Sequence, residues 1–143
     1  MQSSSSTARH TWVPWVAGLA GAAFTLKVLL IAAAGDDVSD GVFGVLYLGG
    51  LALGLVAAVG AGLRQRGWPR SLGVGIGAAV LLVMWIMGLG DLLKPVVWVV
   101  TDSETAKDEV PILLAGLVLL ALAWRARARD LQVADDVPQP SRV

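Results

Sequence analysis

The chain has 143 residues, 56% hydrophobic and 15% charged, with formal net charge zero, no cysteine and a single histidine, His10. That length suits one domain, and the charged share falls well below the roughly 25% of soluble domains, so a water-soluble core this small could not hide the apolar surface. Balanced charge excludes a strongly basic nucleic-acid binder, and the missing cysteines exclude disulfides, thiolate metal sites, Fe–S clusters and thiol nucleophiles.

Residues 1–11 are polar and Ser-rich and read as a disordered tail. Residues 12–34 are apolar except for Lys27. As a helix they reach about 34 Å, enough for a hydrocarbon core of about 30 Å. Thr11 is placed as N-cap, Pro14 falls in the first turn, and Gly35 stops the helix. Ala32, Ala33 and Ala34 resemble a signal-peptide cleavage site, but the stretch is longer than a signal core and contains Lys27, so a retained span is expected.

After an acidic turn at 35–40, the second span covers 41–63, with Asp40 as N-cap. A basic loop with Arg64, Arg66 and Arg70 follows. The third span is expected over 72–94, starting behind Ser71 as N-cap. Pro95 would kink any continuation, because it cannot donate to the carbonyl of Asp91. Residues 101–109 form a polar, mostly acidic loop. The fourth span is expected over 109–129, with Asp108 and Glu109 at its positive end, Pro111 in the first turn and Arg125, Arg127 and Arg129 at its negative end. Residues 131–143 read as a second tail. The domain is thus 12–130, an all-α integral membrane protein of four transmembrane helices in an up-down-up-down bundle.

Orientation follows from the basic residues. All eight arginines (Arg9, Arg64, Arg66, Arg70, Arg125, Arg127, Arg129 and Arg142) fall on one side of this topology, and the other side carries Lys107 among acidic residues. Both termini are therefore expected in the cytoplasm. Trp12, Trp15, Trp68 and Trp124 gather at the same inner boundary, with Trp98 at the outer one. The arginines at 64, 66, 70, 125, 127 and 129 are candidate contacts for anionic lipid. Abundant Arg, Ala, Gly and Val suit a GC-rich bacterial genome, hence an inner membrane.

Lipid gives no hydrophobic drive for helix association, so small residues decide close approach. Gly50 and Gly54 form a GxxxG in the second span, and Gly73 and Gly77 another in the third. These faces serve either packing within the chain or a partner, a second copy or a larger membrane complex. Gly73-x-Gly75-x-x-Ala78 also fits a permissive dinucleotide fingerprint, but no strand precedes it, so nucleotide binding is not expected.

Charges within hydrocarbon are costly and are functional candidates by default. Three qualify: Lys27, Asp91 and Lys94, all in the outer half, with a Lys27–Asp91 contact between the first and third spans as the expected pairing. That cluster reads as a register-fixing pair, as a lipid or partner contact, or as a site for coupled transport. Catalysis is not expected, since no span holds His, Cys or Ser, and neither a cofactor nor a metal is implied. Three functions remain open: a structural or accessory subunit packing through Gly-rich faces, a small oligomeric transporter or channel using Lys27 and Asp91, and a lipid-handling protein.

Overall fold

The computed structural model describes residues 11–34, 39–65, 67–88, 92, 95 and 104–135. Four long helices account for nearly all of them: α1 (Trp12–Ala34), α2 (Asp40–Leu63), α3 (Trp68–Met87) and α4 (Glu104–Asp135). Each contains a stretch long and apolar enough to cross a membrane.

The helix ends differ from the sequence reading at several points. Ser39, not Asp40, is the residue before α2, with extended backbone and its carbonyl accepting from the Val42 N–H at 2.9 Å. Asp40 becomes the first helical residue, where its carboxylate still faces the positive end of the dipole. α3 starts at Trp68 rather than after Ser71. Gly67 turns the chain with φ of 95°, a conformation open to glycine, and Pro69 then suits the first turn. α3 also ends early, at Met87, where Gly88 leaves the helix with extended φ. Pro95 therefore stands outside the helix that it was expected to bend, while Asp91, Lys94 and residues 96–100 lie outside the described residues.

α4 is longer than expected at both ends. It takes in residues 104–108 of the expected loop and 131–135 of the expected tail. Glu, Ala, Lys, Arg, Leu and Gln are good helix formers, and no proline follows until Pro138, so nothing in the sequence stops the helix at 129. Pro111 consequently sits inside α4 and not in its first turn.

Neighbouring helices run antiparallel, as the glycine contacts show. A Cβ placed on Gly60 would meet Val13 and Trp12, and one on Gly50 would meet the Phe24 ring at 2.9 Å, so α2 descends where α1 rises. Between α2 and α3, Gly62 faces the backbone of Ser71 and Gly75, while Gly54 faces Leu82. Between α1 and α4, Gly21 faces the carbonyl of Gly116, and Gly18 faces Ala123. The core is accordingly thin. Val13, Ala20, Phe24 and Lys27 form one buried stripe on α1 at helical spacing, and Phe24 is fully enclosed. α3 is the least enclosed helix, with Gly75 as its one buried residue.

Gly50 and Gly54 thus pack within the chain. Gly73 and Gly77, the other expected pair, have nothing within 4 Å of an added Cβ. α3 approaches α2 through Gly75 instead, because that residue and Gly62 are the ones whose Cα atoms face each other across the interface.

Candidate functional site

Among the described residues Lys27 is the one charged residue in the buried core, at 8% exposure. About seven residues separate it from the end of α1 at Ala34, which puts it roughly 10 Å below that end. Its Nζ donates to Glu109 Oε1 of α4 at 2.5 Å, forming a hydrogen-bonded ion pair. The Glu109 side chain is itself only 15% exposed. The ammonium also lies 5.9 Å from the centre of the Tyr47 ring of α2, at the outer limit of a cation–π contact. Tyr47 meets Phe24 edge to face, with ring centroids 6.3 Å apart. One polar contact thereby joins α1, α2 and α4. Glu109 Oε2 has no hydrogen-bond partner among the described residues.

Sequence reading placed Lys27 with Asp91 and gave Glu109 only a dipole role. The signal for Glu109 was the run of helix formers before it. If α4 starts at 104, Glu109 lies a turn and a half inside the helix, at a depth that Lys27 can reach. Asp91 and Lys94, the other two members of the expected cluster, lie outside the described residues.

Trp85 makes a second polar contact between helices. Its indole N–H donates to the carbonyl of Pro111 at 2.8 Å, linking the C-terminal end of α3 to the N-terminal part of α4. Elsewhere these two helices touch little, and a cleft of about 970 Å³ opens between them. Gly54, Ala57, Ala58 and Ala61 of α2 form its floor with Ala17 of α1. Leu81, Leu82 and Trp85 form one wall, and Leu114, Val118 and Leu122 the other. Leu81, Leu114, Val118 and Leu122 are also exposed, so the cleft is a seam open along the bundle's side.

The far end of the seam is polar. Arg64, Gln65, Arg125, Arg129 and Asp130 line it there. Arg64 donates from one guanidinium nitrogen to both oxygens of Asp130, at 3.1 and 3.2 Å, in a partly exposed pair. Arg127 points elsewhere, with its guanidinium carbon 4.4 Å from the centre of the Trp15 ring. Arg125 and Arg129, four residues apart and so on one helix face, are exposed and make no ion pair or hydrogen bond with the described residues. Of the remaining arginines expected to meet lipid, Arg70 is exposed in the first turn of α3, and Arg66 lies outside the described residues.

Among the described residues no three His, Cys, Asp or Glu side chains come close enough to hold a metal ion. The chemistry available is therefore a closed ion pair at one end of the bundle and a guest-sized apolar seam with a cationic mouth at the other. Compared with known proteins, the chain matches no family model, no curated protein and no solved structure.

Proposed function

We propose that this chain is a non-catalytic, multi-pass protein of the cell membrane, a small accessory subunit that holds an apolar component of the bilayer in the seam between α3 and α4. The seam is the observation that carries this reading. Three of the four neighbouring helix pairs close through glycine contacts, and the fourth is left open over a cavity of about 970 Å³. Pockets that bind small molecules span about 300–1,000 Å³ and are lined mainly by apolar side chains. The placement of all eight arginines on one side supports cytoplasmic termini, and the residue bias supports a bacterial inner membrane.

The transporter reading draws no support from the ion pair. Lys27 is closed off by Glu109, and neither residue lines the seam. A buried pair of this kind acts as a register device, since either charge alone would be left unpaired.

The test uses a photo-activatable residue at Val118, in the seam, or at Leu26, exposed on α1. The protein is solubilised in mild detergent, washed free of bulk lipid and irradiated. A resident guest gives an adduct from Val118 and none from Leu26. Equal yields from both positions, or a product that only joins α3 to α4, would overturn the proposal.

A further inference from the structure

Resting on that reading, we infer that the guest is an anionic phospholipid: one acyl chain lies in the seam between α3 and α4, and Arg125 and Arg129 hold the headgroup phosphate. Three observations on the seam converge on this chemistry.

The first is length. The seam is stopped at one end by the Trp85–Pro111 hydrogen bond and opens at the other among arginines. Leu114 and Arg125 are separated by about 16 Å of helix. One leaflet contributes about half of a 30 Å hydrocarbon core, or about 15 Å. A guest belonging to a single leaflet fits that span. A membrane-spanning partner helix does not, because its apolar length of about 30 Å is roughly twice that span.

The second is charge. Arg64 and Asp130 neutralise each other at the mouth. Arg125 and Arg129 remain, and Gln65 adds no charge. The mouth therefore presents two uncompensated guanidinium groups on one helix face. Their planar forks suit the oxygens of a phosphate. A zwitterionic headgroup would bring its own cation toward the same two groups.

The third is a contrast within α4. Arg127, between the other two, stacks on Trp15 away from the seam. A diffuse attraction of the helix end for anionic membrane would use all three arginines alike. A built site uses two.

The experiment reconstitutes the full chain in vesicles containing equal amounts of phosphatidylglycerol and phosphatidylcholine. The protein is then extracted in mild detergent, and retained lipid is quantified by mass spectrometry. At low salt the wild-type chain is expected to retain phosphatidylglycerol about 30-fold over phosphatidylcholine. That corresponds to about 2 kcal/mol at 1.4 per tenfold, the attraction of two arginines at about 1 each. R125Q/R129Q should bring the ratio within about threefold of one, while R127Q keeps it. Ala126 of α4 also lines the seam; filling the space there with A126W should lower total retained lipid without reversing the preference, and Trp85→Phe should leave the preference intact.

No preference in the wild-type chain overturns the inference, as does an equal loss in R127Q. Displacement of the lipid by inorganic phosphate as readily as by phosphatidylglycerol also overturns it, since the apolar seam would then contribute nothing. The two proposals fail separately. An adduct at Val118 that proves to be a protein segment or a neutral lipid sinks the anionic-lipid assignment and leaves the seam as a binding site. Equal adducts at Val118 and Leu26 sink both.

Discussion

Neutralising Lys27 tests whether the contact between α1 and α4 is a pair or two independent charges. Lys27→Met keeps the aliphatic stem and removes the ammonium. Glu109 is then left with both oxygens unsatisfied at 15% side-chain exposure, where it had one partner before. Removing one member of a buried pair costs about 3–5 kcal/mol. Glu109→Gln is milder, because the amide oxygen can still accept from Lys27, and the Tyr47 ring 5.9 Å away gives the ammonium about 1 kcal/mol of compensation. A loss of about 2 kcal/mol is expected there, between the value of a charged hydrogen bond and that of a broken pair. The double variant K27M/E109Q carries no buried charge and should lie within about 1 kcal/mol of wild type. The cycle therefore predicts a coupling of at least about 4 kcal/mol, with the double variant more stable than K27M alone. Reversible unfolding in mixed micelles of rising dodecyl sulfate content, followed by circular dichroism, reads all four states. Additive losses would refute the pairing. Rescue of K27M by Asp91→Asn in place of Glu109→Gln would refute the identity of the partner.

The same unfolding assay checks the remaining expectations. Gly21→Ala places a methyl 2.6 Å from the carbonyl of Gly116, a backbone atom that cannot swing away, and should cost about 1–3 kcal/mol. Gly73→Ala meets open space on a helix and should be neutral or stabilise by up to about 1 kcal/mol; a loss like that of Gly21→Ala would mean that another chain covers Gly73. Trp85→Phe removes the indole donor to Pro111 and should cost about 1 kcal/mol, seen as earlier loss of helix at the closed end of the seam. R64Q/D130N removes a half-exposed pair and should shift the unfolding midpoint by less than about 1 kcal/mol, with the difference vanishing at high salt.

The existence of four helices was legible because it needs only run length and composition. Apolar stretches of some twenty residues interrupted by polar turns allow few other structures. The ends were less legible, and for local reasons. Ser71 carries a good capping side chain, yet Gly67 and Pro69 start α3 earlier, since a positive φ followed by a preset helical φ outranks one hydroxyl. Residues 104–108 looked like a loop because they are charged, while their helix propensity pointed the other way. That misplaced end hid the main site residue. With α4 started at 109, Glu109 belongs to the interface. With α4 started at 104, it reaches Lys27. The glycine motifs were half legible: spacing identified Gly50 and Gly54, but spacing alone does not give the rotation of a helix about its axis, and α3 turns Gly75 rather than Gly73 and Gly77 toward α2. The seam was not legible at all, because it depends on which helices become neighbours.

Why the bundle opens between α3 and α4, and not elsewhere, follows from side-chain size. Between α1 and α4 the backbones approach at Gly21 and Gly116; between α2 and α3 they approach at Gly62 and Gly75; between α1 and α2, Phe24 fills the space that Gly50 leaves. In each case a missing side chain lets atoms come within dispersion range that lipid, with its bulk and motion, cannot match. Leu81, Leu82 and Trp85 face Leu114, Val118 and Leu122 across the fourth interface; Ala78, Ala115 and Ala126 line it as well, but no glycine of α3 or α4 does. Leucine against leucine offers little that leucine against a lipid chain does not. The hydrogen bond from Trp85 to Pro111 gives α3 and α4 a contact that hydrocarbon cannot replace. On the proposed reading, lipid would compete with α4 for the face of α3 on nearly equal terms everywhere below that bond, and the arginines at the mouth would decide which lipid has the advantage.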